Sequence, residues 1–102
     1  VGGSDLNPYL AIASQLAAGI RGIEDKLELE PVFSGNAYQA NNVREIPASL
    51  RAATESLRDS QMLREAMGEG VIDHYVRCAE WEQEDFDKKV TDYERSRCFE
   101  RA

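Results

Sequence analysis

The longest run of apolar positions lies near the start of the chain, over residues 9–20. Ser14 and Gln15 are the clearly polar residues within it, so a helix here would be apolar nearly all round, and such helices normally have neighbours on several sides. Asn7 is a favoured N-cap residue, and Pro8 then takes the first helical position, where its missing N–H costs nothing. The pattern predicts a buried helix from Pro8 that forms the core of something larger.

The segments after this helix are mostly connections. Residues 24–33 alternate only weakly and contain Pro31, which argues against a central strand and favours an extended connection. Residues 34–42 are rich in Ser, Gly and Asn, which predicts a long surface loop. Residues 43–46 precede a proline and are therefore expected to be extended.

Two serines mark the next helices. Ser49 can cap an amphipathic helix that runs to about Asp59, because apolar residues recur there at helical spacing. Ser60 can cap a second, short helix, which Gly68 is expected to end.

The longest helix is predicted to begin near Gly70 or Val71. Thr91 and Glu94 then match a capping box, which predicts a new terminal helix. The apolar stripe expected on the long helix consists of Ile72, Tyr75, Val76, Ala79, Phe86 and Val90. The chain is therefore expected to be mainly α, with about four to five helices and one long loop.

Charge and cysteine content exclude several classes of protein. Twelve basic and nineteen acidic side chains give a net charge of -7, which should repel nucleic acid and anionic membranes. The first helix is too short to cross a bilayer, since a spanning helix needs about 20 apolar residues. Cys78 and Cys98 show neither a CxxC spacing nor an accompanying histidine pair, which argues against a zinc site or a disulfide framework. We therefore expect reduced thiols and a cytoplasmic location.

Few residues offer chemistry of their own. The acidic run in the long helix, which could in principle hold Mg²⁺ or Mn²⁺, is interpreted as a solvated face because Lys88 and Lys89 adjoin it. His74 is the only histidine and is interpreted as a packing or surface residue. The acidic run comprises Glu80, Glu82, Glu84, Asp85 and Asp87.

The cysteines and large aromatic residues are also expected to be structural. Cys78 lies near the apolar stripe and is expected to be buried, whereas Cys98 is expected to be more exposed, and neither has a base beside it in sequence. Tyr75 and Trp81 are expected in the core, with a partner surface as the alternative. Gly2-Gly3 belongs to no phosphate-binding pattern.

One pattern resembles a known family. The resemblance rests on the order and spacing of three sets of residues: a motif at the start of the chain, a block directly after it, and short matches downstream. It covers essentially the whole chain. These residues are Gly3-Ser4-Asp5-Leu6-Asn7-Pro8-Tyr9-Leu10-Ala11-Ile12-Ala13, Leu16-Ala17-Ala18-Gly19-Ile20-Arg21-Gly22-Ile23, Asn36-Ala37-Tyr38, Ile46-Pro47-Ala48-Ser49-Leu50-Arg51-Ala52-Ala53, Leu57, Ser60, Leu63 and Met67-Gly68. The chain is similar to the C-terminal part of the catalytic domain of glutamine synthetase family proteins.

The resemblance implies a fold and an activity for the parent protein. Residues 1–102 would be one helical segment of an α+β catalytic domain, without the catalytic sheet and the N-terminal domain. Family members use ATP and Mg²⁺ or Mn²⁺ to convert the glutamate side chain into a γ-glutamyl phosphate, which ammonia or a larger amine then attacks. The lack of an initiator Met before Val1-Gly2-Gly3-Ser4 also favours a segment cut from a longer protein.

The resemblance assigns no catalytic, cofactor-binding or metal-binding residue to this segment, because the family's active-site motifs precede the matched part. One position corresponds to a modification site, since Tyr38 falls where some bacterial members carry an adenylylated tyrosine. Gln39 and Ala40 depart from that pattern.

The sequence thus predicts part of a glutamine synthetase-type ligase of nitrogen metabolism, inactive by itself and bound to no cofactor. Its expected partners are the rest of its catalytic domain and sister subunits in a homo-oligomer, and not nucleic acid or membrane. The alternative is a stand-alone, non-catalytic helical interaction module.

Overall fold

The computed structural model describes residues 3–36, 44–99 and 101. Within them lie five α-helices: α1 (Pro8–Glu24), α2 (Leu50–Arg58), α3 (Gln61–Met67), α4 (Glu69–Asp87) and α5 (Asp92–Phe99). No strand is present among these residues. The prediction of a mainly α chain with four to five helices is therefore confirmed.

Side-chain caps fix where the first three helices begin. The Asn7 side-chain oxygen accepts hydrogen bonds from the backbone N–H groups of Tyr9 and Leu10, at 3.0 and 3.3 Å. The hydroxyls of Ser49 and Ser60 accept the same kind of bond at the starts of α2 and α3. These bonds satisfy N–H groups that have no partner within the helix. The three predicted starts are confirmed.

The capping box at the start of α5 is also present. The Thr91 backbone N–H donates to the Glu94 carboxylate at 2.8 Å, and the Glu94 N–H donates back to the Thr91 hydroxyl at 3.3 Å. The hydrogen bond from the Thr91 backbone, followed by the one from its hydroxyl, lowers the pKa of Glu94. The reciprocal bonds therefore stabilise the charged form of this carboxylate.

Helix α4 begins one residue earlier than predicted and ends earlier than its apolar stripe suggested. The chain turns after Asp87, where the Lys89 N–H donates to the Phe86 carbonyl at 2.9 Å. Val90 consequently lies outside the helix and is 70% exposed. Its assignment to the α4 stripe was wrong, because the chain must leave α4 before it can form the Thr91 cap.

The packed centre of the chain lies where α2 and α3 meet α4. Among the described residues, Ile72, Val76 and Thr54 are the buried ones. The Thr54 hydroxyl donates to the Leu50 carbonyl at 2.8 Å, so this buried polar group is satisfied. The core is small, and it belongs to α2 and α4.

The Arg64 side chain of α3 bonds to both α2 and α4. Its Nε donates to the Arg58 carbonyl at the end of α2, and its Nη1 donates to Asp73 in α4, both at 2.8 Å. It also pairs with Glu69 at the start of α4. The hydrogen bonds to Asp73 and then Glu69 raise the pKa of Arg64. One α3 side chain thus connects to both neighbouring helices.

Helix α1 is arranged differently, because it packs mainly against α3. An ion pair of 3.1 Å joins Arg21 of α1 to Glu65 of α3. None of the residues of α1 is buried. Helix α1 is therefore uncovered in this chain, and its burial within something larger stays a prediction.

The chain as a whole is open. Its Cα radius of gyration is 18.4 Å, whereas about 13 Å is typical of a compact domain of this length. Residues 27–34 form neither helix nor strand, in agreement with the predicted extended connection. The predicted 34–42 loop falls mostly on residues 37–43, which lie outside the described residues. A chain this open leaves much apolar surface uncovered.

Candidate functional site

An uncovered apolar surface runs along α1. We define the α1 apolar face as Ile12, Leu16, Ile20 and Ile23, which recur at helical spacing. Their exposed fractions lie between 57% and 79%. A contiguous exposed apolar surface of this kind typically marks a site of protein interaction.

The surroundings of α1 leave room for a partner to approach closely. A groove of about 440 Å³ between α1 and α3 is lined by Leu16, Ile20, Met62 and Ala66, among others. A Cβ atom added at Gly19 would meet nothing within 4 Å. Small residues allow close approach of a packing partner. The geometry therefore suits α1 to packing against another element and not to holding a small polar ligand.

A second surface, the charged seam, runs between α2 and α4. It consists of Arg51, Arg58 and Arg77 with Glu80, Glu84 and Asp87. The Arg58–Glu80 and Arg51–Asp87 pairs are separated by 2.6 and 2.8 Å and join the two helices. A cavity of about 290 Å³ lies along it. Each exposed ion pair of this kind contributes little to the free energy of unfolding, about 0–1 kcal/mol.

The charged seam accounts for most of the acidic run of α4. Arg77 reaches Glu80 at 3.3 Å and Glu84 at 3.9 Å, and Lys89 pairs with Asp85. Arg and Lys therefore neutralise carboxylates that would otherwise attract a cation. Nowhere in the described part of the chain do three or more His, Cys, Asp or Glu side chains gather in a way that could hold a metal ion. The described residues thus do not fit a Mg²⁺ or Mn²⁺ centre of the kind that catalyses phosphoryl transfer.

Cys78 and His74 form a pair that the sequence interpretation missed. The Cys78 Sγ lies 3.6 Å from the His74 Nε2, and both side chains are exposed. The expectation that Cys78 is buried was wrong, because the packed side of α4 is centred on Ile72 and Val76. The spacing of four residues was the available signal, since such residues are neighbours on a helix surface. Cys98 is exposed, as predicted.

The large aromatic residues of α4 are also more exposed than predicted. Trp81 is 58% exposed, and Tyr75 is exposed as well, with its ring edge-on to His74 at a centroid distance of 5.4 Å. The prediction that both belong to the core was wrong, because α2 and α3 cover only one side of α4. Their exposure agrees with the alternative of a partner surface, which stays a prediction.

Tyr38, the possible modification position, lies outside the described residues, as does Gly2. Among the helices that the structure does describe, none has the length and apolarity needed to span a membrane.

The fold and its surfaces define a helical segment whose first helix presents an uncovered apolar face. Among its described residues, no group of three or more His, Cys, Asp or Glu side chains could hold a metal ion. Residues 1–98 match the family model described as glutamine synthetase, catalytic domain. The chain belongs to the glutamine synthetase catalytic-domain family.

Curated relatives agree with this assignment. The chain is 46% identical over 99 residues to a gamma-glutamylethanolamide synthetase of Streptomyces coelicolor, a match that covers 97% of the chain and 21% of that relative. It is 40% identical over 98 residues to a glutamine synthetase of Thermus thermophilus, covering 89% of the chain and 22% of the relative. It is 36% identical over 97 residues to a glutamate–isopropylamine ligase of a Pseudomonas species, covering 93% of the chain and 21% of the relative.

The chain therefore spans about a fifth of the length of these relatives. All three are named as synthetases or ligases, so the family is one of carboxylate–amine ligases. The resemblance found in the sequence is confirmed at the level of the family.

Proposed function

We propose that this chain is the C-terminal helical part of the catalytic domain of an ATP-dependent ligase that joins glutamate to an amine. The match of residues 1–98 to the catalytic-domain family carries the proposal. In the proposed reaction a side-chain carboxylate oxygen of glutamate attacks the γ-phosphorus of ATP, and ADP leaves. The amine nitrogen then attacks the carbonyl carbon of the γ-glutamyl phosphate, phosphate leaves, and the nitrogen loses a proton.

ATP and Mg²⁺ or Mn²⁺ are proposed for the whole protein and not for this segment. The described residues contain no group of three or more metal-ligating side chains. The carboxylates of the charged seam are paired with arginines. We therefore expect the 102-residue chain alone to be inactive, since catalysis of phosphoryl transfer depends on positioning and electrostatic stabilisation.

The role proposed for this segment is to support the catalytic sheet. The uncovered α1 apolar face supports that role, because burial of apolar surface is the main favourable term in packing. We propose that the rest of the same catalytic domain covers this face. Sister subunits of a homo-oligomer, acting in cytoplasmic nitrogen metabolism, are the further proposed partners.

A larger primary amine is favoured over ammonia as the second substrate. Identity to the gamma-glutamylethanolamide synthetase is 46% over 97% of the chain, against 40% over 89% for the Thermus glutamine synthetase. The 46% identity to the gamma-glutamylethanolamide synthetase supports an N-substituted γ-glutamyl amide as the product, although the glutamate–isopropylamine ligase, at 36%, is less similar than the Thermus glutamine synthetase. Ammonia, which would give glutamine, is the competing substrate.

The test is an amine panel with the full-length parent protein. Purified protein would be incubated with glutamate, ATP, Mg²⁺ and one of ammonia, ethanolamine, isopropylamine or a polyamine. ADP release and the mass of the product would be measured. We expect amine-dependent ADP release and a γ-glutamyl amide product, with an organic amine preferred.

The 102-residue chain, assayed in parallel, serves as the control and should show no turnover. Exclusive use of ammonia would overturn the amine preference alone. A full-length protein inactive with every amine would overturn the ligase proposal and favour the non-catalytic interaction module. Turnover by the 102-residue chain would contradict its proposed structural role.

A further inference from the structure

Gly68 is the single residue between α3 and α4, and its φ of 92° and ψ of 145° break the helical path. Its N–H donates to the Arg64 carbonyl at 2.9 Å, and its carbonyl accepts from the Ile72 N–H at 3.3 Å. Glycine populates a wide range of φ and ψ, and a Cβ added at position 68 would meet no atom within 4 Å. The backbone at Gly68 therefore does not by itself fix the angle between the two helices.

The Arg64 side chain bridges both ends of α3. Its Nε donates to the carbonyl of Arg58, the last residue of α2, at 2.8 Å. Its Nη1 donates to Asp73 of α4 at 2.8 Å and also pairs with Glu69, the first residue of α4. We call these three contacts the Arg64 latch. The Arg64 side chain is only 18% exposed, and charge-assisted hydrogen bonds are stronger than neutral ones, so the latch can hold an angle that Gly68 leaves free.

Helix α1 follows the orientation of α3, because α3 is its main contact. Arg21 of α1 pairs with Glu65 of α3 at 3.1 Å. The Gln61 side-chain amide donates to the same carboxylate at 2.9 Å, which holds Glu65 in place on α3. The direction of α3 therefore decides where the α1 apolar face points.

We propose that the Arg64 latch sets the orientation of α3, and through it that of the α1 apolar face, relative to the packed pair of α2 and α4. Without the latch, α3 and α1 turn together about Gly68. Helix α2 stays on α4, because the Arg51–Asp87 ion pair and the buried side chains between these helices do not involve Arg64. The α1 apolar face then no longer meets a partner at one fixed angle. This device belongs to the 102-residue chain and does not depend on the ligase activity proposed above.

Arg77 offers a matched control. It also pairs with two carboxylates, those of Glu80 at 3.3 Å and Glu84 at 3.9 Å, but all three residues lie in α4. Arg77→Ala therefore deletes ion pairs without changing the link between α3 and α4. Arg64→Lys is a second informative change, because lysine keeps the charge and lacks the planar fork with which arginine reaches several acceptors at once.

Spin-label distances between α1 and α4 test the latch. One label is attached to the native Cys78 and the other to a cysteine introduced by Gln15→Cys, in a Cys98→Ser background. Both labelled positions are exposed. Labelled chain is diluted with unlabelled chain, so that the signal comes from pairs of labels within one molecule. We expect one narrow distance distribution when Arg64 is intact and in R77A, and a shifted, broader distribution in R64A and R64K.

Hydrogen exchange of the unlabelled chain gives a second readout. In R64K the amides of α3 should exchange about tenfold faster or more, because hydrogen bonds to charged groups stabilise the closed arrangement by that factor. The amides in the second half of α4 should keep their rates, since α2 still covers that helix.

The two Arg64 variants together decide the outcome. An unchanged distance distribution in both would overturn the proposal, as would an equal change in R77A. If R64A unfolds, R64K alone decides. Unfolding of R64K as well, followed by the fluorescence of Trp81, would also overturn it, because Arg64 would then hold the core together and not orient α3.

Discussion

Helices α1 and α4 are similar in length, with 17 and 19 residues, but they differ in burial. Helix α1 is nearly all apolar and has no buried residue. Helix α4 carries the acidic run and the charged seam, yet it buries Ile72 and Val76. The comparison teaches that burial in this chain depends on which neighbours are present and not on how apolar a helix is.

Helices α1 and α4 have different neighbours in the fold. Both α2 and α3 pack against α4, whereas α1 has mainly α3 beside it. Arg64 strengthens the first arrangement through its bonds to Arg58 and Asp73. We therefore regard α2 to α4 as the self-supporting part of the chain and α1 as the part that needs a cover.

The largest predicted effect comes from removing the centre of the core. Ile72 is 2% exposed, so Ile72→Ala should destabilise the chain by about 2–5 kcal/mol, through lost burial and the cavity left behind. Urea unfolding followed by Trp81 fluorescence measures this, because Trp81 is the only tryptophan and lies in α4.

The matched control for Ile72→Ala is Leu16→Ala on the α1 apolar face. Because Leu16 is exposed, its truncation should change the free energy of unfolding by no more than about 0.5 kcal/mol. Equal costs for the two variants would contradict the contrast between α1 and α4.

The next effect concerns association and not folding. The uncovered α1 apolar face should make the 102-residue chain self-associate as concentration rises, because pairing hides apolar surface. Leu16→Glu should shift the chain toward monomer in analytical ultracentrifugation. Tyr93→Glu in α5, which changes an exposed aromatic residue elsewhere, should not. A wild-type chain that stays monomeric at every concentration would refute this expectation.

The smallest effect is the pH dependence of the α5 cap. Hydrogen bonds from Thr91 lower the pKa of Glu94 below its ordinary value of 4.5. The stabilisation from this carboxylate should therefore be complete above that value and should disappear as the pH falls through the lowered pKa. NMR titration of the Thr91 amide signal measures it. Glu94→Gln should remove the titration, and an amide that titrates identically in that variant would point to another group.

The features that sequence predicted well are local. Asn7, Ser49, Ser60 and the Thr91–Glu94 box each bond to groups within three residues, so a short stretch of sequence contains all the information required. The family resemblance was equally accessible, because its motifs lie along the chain. Tyr38 as a modification position remains a prediction.

The features that sequence predicted poorly depend on distant neighbours. The apolar pattern of α1 correctly marks a surface suited to burial, but only the tertiary arrangement reveals that it is uncovered in this chain. The exposure of Cys78 and Trp81 has the same cause, since α2 and α3 reach only one side of α4. The His74–Cys78 spacing was present in the sequence, but its significance depends on a distance that only the fold provides.

The link between α3 and α4 restricts which residues the chain can accept at position 68. Gly68 ends one helix and begins the next with φ of 92°, a conformation that L residues with a side chain rarely adopt. Gly19 and Gly70 lie within helices and have open space where a Cβ would go. Gly19 and Gly70 can therefore be replaced by alanine. Position 68 requires glycine because of its positive φ, even though a Cβ added there would meet no atom within 4 Å.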